Sequence, residues 1–85
     1  MQTVKYYSLT PAATMALSLP AEAVILNIID ECGKVFAWVQ VDTEKSEKPK
    51  SIIRIATGDP LPLVSVRYIS TVKTITGDWH YFEVI

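Results

Sequence analysis

The chain contains one histidine, His80, and one cysteine, Cys32, and these are the first places to look for chemistry. On a strand, Asp78, His80 and Phe82 share a face, so Asp78 and His80 have the spacing of an orienting carboxylate and a base, or of two metal ligands. A structural zinc site needs four protein ligands, and with Cys32 in a different hairpin the supply fails. The expected state of His80 is therefore a partly buried, hydrogen-bonded residue at a hairpin end. Cys32 follows Asp30 and Glu31, whose negative charges work against a reactive thiolate. Ser65 and Ser70 lie nearest to His80 in sequence, yet neither stands in a Gly-x-Ser-x-Gly strand-to-helix elbow. No catalytic constellation emerges, and the expectation is a protein that is not an enzyme.

Binding offers more candidates. Thr57, Gly58 and Asp59 form one turn signal, and Thr76, Gly77 and Asp78 repeat it. Successive backbone N–H groups around such glycines can make an anion-binding nest, with threonine hydroxyls as added donors. Ordinary turn chemistry uses the same residues. Trp79 and Tyr81 share one face of the last segment, with Glu83 following on that side, which suits stacking against a base or anchoring a protein. Packing across a sheet core is the commoner use of such rings. The candidate ligand- or partner-binding residues are thus Thr57, Gly58, Asp59, Thr76, Gly77, Trp79, His80 and Tyr81, with no metal and no cofactor expected.

The elements that must position these residues read as strands. Tyr68–Ile75 and Trp79–Ile85 are rich in β-branched and aromatic residues and flank the Gly77-Asp78 pair, which predicts a hairpin with a type II′ turn. Thr3–Leu9 is a first strand, stopped by Pro11. Met15, Leu17 and Leu19 alternate with Thr14, Ala16 and Ser18, the period of a strand with one buried face; a short helix opening at Thr10 and Pro11 is the alternative. Ala23–Ile29, apolar on both sides except for Asn27, reads as a strand covered on two faces, and Asp30–Gly33 turns the chain into its partner, Lys34–Val41. Residues 42–51 are dense in charge and contain Pro49, the pattern of a solvated loop in which Lys45, Lys48 and Lys50 could meet an acidic partner. Ile52–Thr57 resumes a strand. Val64, Val66 and Tyr68 differ in parity from Ile69 and Ile75, which predicts a bulge between Arg67 and Ser70. The sum is one all-β domain over residues 1–85, a small antiparallel sandwich or partly open barrel of six to seven strands.

Composition narrows the function classes. At 85 residues the chain is one domain with little core to spare, and 49% hydrophobic content is high for so much surface, which points to a homo-oligomer or a partner-covered patch. A net charge of −1 without a basic stripe argues against nucleic acid as the partner. One cysteine allows no intrachain disulfide. Met1–Leu9 lacks the apolar core of a signal peptide, and no run approaches the roughly 18 apolar residues of a membrane span. The expected location is the cytoplasm.

Lys5-Tyr6, Leu19-Pro20, Ile25-Leu26, Trp38-Val39-Gln40-Val41-Asp42, Thr57-Gly58-Asp59-Pro60, Tyr68-Ile69-Ser70-Thr71-Val72 and His80-Tyr81-Phe82-Glu83 occur in an order that resembles a family of short uncharacterised proteins of bacteriophages and prophage-bearing bacteria. The likeness covers nearly the whole chain through short motifs. That family often places histidine after the Thr-Gly pair, where this chain has Asp59, so a site needing one histidine from each turn is not expected here. The resemblance implies a phage-linked accessory protein in the host cytoplasm. Such a protein would act as a homo-oligomeric binding module, with counter-defence by capture of a host protein or a small anionic, nucleotide-like signal as the expected role. The alternative is a structural or assembly component of the phage particle, contacting other phage proteins.

Overall fold

Side-chain alternation over seven extended segments builds two sheets. The computed structural model describes residues 1–85. Its strands are β1 (Gln2–Leu9), β2 (Thr14–Pro20), β3 (Val24–Glu31), β4 (Lys34–Asp42), β5 (Glu47–Ala56), β6 (Val66–Thr74) and β7 (Gly77–Val84). The order is β1-β4-β3 in one sheet and β2-β5-β7-β6 in the other, antiparallel throughout. The sheets do not close on themselves, so the protein is a sandwich and not a barrel. There is no helix long and apolar enough to cross a membrane.

The core lies between the sheets. Leu9, Ile25, Ile28, Ala37, Val39 and Val41 come from the three-stranded layer, and Leu19, Ile52, Val72 and Tyr81 from the four-stranded layer. In β2, Met15, Leu17 and Leu19 point inward as their alternation requires, and no helix forms at Pro11. Only 12 of 85 residues are buried, and the molecule exposes 5522 Å². That is about a tenth more than the roughly 5,000 Å² expected of a compact 9.5 kDa monomer.

Two turns set the sandwich ends. Glu31 pairs with Lys34 across Cys32 and Gly33, both with positive φ (53° and 84°), the geometry of a type I′ hairpin turn. Asp30 closes it by accepting the Gly33 N–H at 2.9 Å. The β6–β7 hairpin departs from the predicted type II′ form. Thr74 pairs with Gly77, so the central residues are Ile75 and Thr76, and Gly77, at φ 131°, opens the return strand in a region glycine alone adopts readily. Thr74 Oγ1 accepts the Thr76 N–H at 3.2 Å and donates to the Gly77 carbonyl at 2.9 Å, holding the turn without a central glycine.

Three further comparisons with the sequence matter for the site. The register of β6 against β7 shifts between Tyr68 and Ser70, within the predicted bulge window, and turns Ile69 toward the core. Of the charged stretch 42–51 only residues 43–46 form the expected exposed connection: β5 begins at Glu47, and Glu47–Ile53 pair with Pro20–Thr14. Polar residues fit there because this half of β5 has β2 as its only sheet neighbour, β7 pairing only from Ile52 onward, so Pro49 forfeits no hydrogen bond on that side. Strand β3 is covered on one face only, with Val24 and Leu26 exposed on the other.

Candidate functional site

Antiparallel pairing of Ala56 with Trp79 brings the two Thr-Gly-Asp segments to one end of the four-stranded sheet. Thr57 Oγ1 lies 2.7 Å from His80 Nε2 on the outer face. The other ring nitrogen, Nδ1, is 2.9 Å from Thr71 Oγ1, which is 2.7 Å from the Tyr68 hydroxyl. His80 thus ties β6, β7 and the end of β5 together. A neutral imidazole has one donor and one acceptor, and hydroxyls on both sides can match either tautomer. Asp78 is not a hydrogen-bond or ion-pair partner of His80; the two threonines hold the ring instead. Gly58, at φ 94°, and Asp59, whose N–H bonds the Ala56 carbonyl at 3.0 Å, make a simple turn. The order hydroxyl, imidazole, hydroxyl resembles a nucleophile, base and orienter, but neither Thr57 nor His80 lines the sandwich-end cleft or the three other clefts, at Leu19–Ala23, at Asn27–Asp30 and beside Tyr6 and Trp38.

Trp79 and Tyr81 face inward, opposite His80 and Phe82. Tyr81 is 2% exposed and belongs to the core, so its ring is not open to a ligand. Trp79 packs against the core at the sandwich end, and the Arg54 guanidinium lies 4.0 Å above its ring centre. Here the two sheets part into a cleft of about 570 Å³. Arg54 and Trp79 line it, with Thr76 and Ile75 from the β6–β7 turn, Asp30 from the β3–β4 hairpin, and Pro11. Of the predicted site residues, Thr76 and Trp79 reach this cleft, whereas Thr57 and His80 meet on the outer face.

Two arrangements escaped the sequence reading. Glu83 is buried and accepts hydrogen bonds from Arg67, through Nε at 2.8 Å and through Nη2, while Lys50 Nζ lies 3.0 Å from its second oxygen. Burial by itself would raise the Glu83 pKa; the hydrogen bonds from Arg67 and then Lys50, with their charges, outweigh it and hold the carboxyl below its ordinary range. The outer face of β1-β4-β3 is the second. Tyr6 packs edge-on to Phe36 (ring centres 5.3 Å apart) and against Trp38 (5.4 Å). Tyr6 is 61% and Trp38 38% exposed, and Val4, Val24 and Leu26 extend the apolar surface. Alternation in β1 and β4 could have revealed this face, since Tyr6, Phe36 and Trp38 share the parity opposite to the core valines.

A family model described as a domain of unknown function, DUF7352, matches residues 1–85. The chain belongs to this family. Comparison with curated proteins and with solved structures yields no match. The DUF7352 domain in this chain is therefore an open seven-stranded sandwich with an end cleft and an uncovered aromatic face.

Proposed function

We propose that this DUF7352 protein is a phage-linked accessory binding module that acts as a homo-oligomer in the host cytoplasm, serving counter-defence by holding a host protein or a nucleotide-like signal. The phage link rests on the resemblance of its motifs. The binding role is carried by one observation, the cluster of exposed Tyr6 and Trp38 with half-buried Phe36 on a sheet face that nothing in the chain covers. Aromatic clusters ringed by aliphatic residues are the usual anchors of protein interfaces. The high exposed area for the mass supports the same reading.

Light scattering and native mass spectrometry across a hundredfold range of concentration test it. The expected result is an oligomer that the double substitution Tyr6→Ser and Trp38→Ser turns into a folded monomer. A monomer at every concentration overturns the oligomer. Mass spectrometry of purified particles separates the alternative, because a virion component is present there in fixed proportion.

A further inference from the structure

Arg54 is the partly buried cation of this protein that has no anion. Lys50 and Arg67 converge on Glu83, and Lys45 reaches Glu22, but no carboxylate lies within ion-pair distance of Arg54. Its side chain is nonetheless held firmly. The backbone N–H of Arg54 donates to the Ala13 carbonyl at 2.9 Å, Nη2 donates to the Pro11 carbonyl at 3.0 Å, and the guanidinium plane rests on Trp79. The Nε–H, shut off from solvent, has no acceptor in the chain. Leaving a donor of a charged group unsatisfied is costly, so the charge of this guanidinium is under-compensated within the chain.

The surroundings say what kind of partner. The cleft in front of Arg54 has the volume of a mononucleotide-sized site. Its walls are unlike: Arg54 and Trp79 stand on the four-stranded sheet, Asp30 and Val35 on the other. One Asp30 oxygen accepts the Gly33 N–H, which fixes the carboxylate as part of the hairpin. The Thr74 hydroxyl is engaged within its own turn, so it does not compete for the ligand's charge.

We propose that the sandwich-end cleft binds a small molecule carrying an anionic group on a planar body, the anion meeting the Arg54 guanidinium and the body lying among Trp79, Val35 and Ile75. A guanidinium fork recognises phosphate or carboxylate in two-point fashion, and its aromatic support fixes the fork's plane. Asp30 favours a hydrogen-bond donor at the far end of the ligand and repels a second anion there. The inference rests on the reading of the protein as a binding module and specifies its small-ligand site; it does not depend on the oligomer.

Backbone and side-chain N–H spectra of the full chain, titrated with AMP, phenyl phosphate and benzoate against the neutral controls adenosine and phenol, provide the test. Binding shifts the Arg54 Nε–H, the Trp79 indole N–H and the Gly33 and Thr76 amides for at least one anion, while the neutral controls bind at least tenfold more weakly. The phosphate and carboxylate arms decide which anion the site takes. Arg54→Gln weakens binding at least tenfold and Arg54→Lys less. If Arg54→Gln does not fold, Ile75→Glu decides instead: Ile75 is fully exposed at the turn tip, so an added carboxylate there leaves the fold intact and weakens the anion severalfold. Absence of shifts with every anion at 10-millimolar levels (about −2.7 kcal/mol at that Kd), shifts mapping elsewhere, or equal binding of adenosine and AMP overturns the proposal. None of these outcomes alters the oligomer measurement, so the two readings fail separately.

Discussion

Replacing Glu83 by Gln removes the negative charge at the centre of the Arg67, Glu83 and Lys50 cluster while keeping the side chain's shape. Glu83's side chain is 3% exposed, whereas those of Lys50 and Arg67 are 31% and 60% exposed. Removing one partner from a fully buried pair costs about 3–5 kcal/mol because the other charge is stranded. Here both cations can swing back to water, and the amide oxygen still accepts one hydrogen bond from Arg67. The loss is therefore about 1–3 kcal/mol, on the scale of one charge-assisted hydrogen bond. For a domain of this size each kcal/mol lowers Tm by about 4–8 °C. The pH dependence gives the sharper check. Because the folded-state pKa of Glu83 lies below its ordinary value of 4.5, its stabilisation is fully present above that value and disappears as pH falls through the lowered one. Asp42 is also lowered, chiefly by the Glu44 N–H, but it titrates alike in both proteins and cancels from the difference. Urea unfolding of the native and Glu83→Gln proteins at pH 7 should show the full gap, and at pH 3 a smaller one. Equal stability at pH 7, or an undiminished gap at pH 3, refutes the reasoning.

Three other substitutions probe the frame around the sites. Cys32→Asn places a residue that tolerates positive φ at the first central position of the type I′ turn, and thermal melts should show a gain of about 0.5–1 kcal/mol. Leu19→Ala opens a cavity in the thin core and should cost about 2.5–5 kcal/mol in denaturant unfolding, enough to leave a substantial unfolded fraction in a marginal domain. Thr57→Val removes the hydroxyl from His80 Nε2; the expected cost is about 0.5–1.5 kcal/mol, with a shift of the His80 ring resonances while Trp79 is unmoved.

Much of the fold was legible because strand alternation is a local signal. The β2 pattern of Met15, Leu17 and Leu19, the return strand Lys34–Val41, and the parity change before Ser70 each correspond to an observed strand, face or bulge. The misreadings arose where a neighbouring strand overrode local chemistry. Residues 47–51 look like a solvated loop by composition, yet β2 supplies a complete backbone partner, Lys48 stays exposed at the sheet rim, and Lys50 turns its ammonium to Glu83. Likewise the Gly77-Asp78 pair attracted the turn assignment, although the turn centres two residues earlier, on Ile75 and Thr76, and is held by the Thr74 hydroxyl.

The candidate site divides in the same way. Trp79 and Tyr81 could be separated from His80 and Phe82 by parity, which follows from the two-residue repeat of any strand. Sequence by itself therefore determined the all-β class, most strand positions and which side chains share a face. Only the tertiary structure decided that Tyr81 is core, that Thr57 grips His80, that Arg54 stacks on Trp79 without an anion, and that Glu83 gathers two cations. Each of these depends on the β2-β5-β7-β6 order, which sets side by side residues far apart in the chain. That order is fixed by which faces bury best against each other, a collective property that local periodicity does not contain.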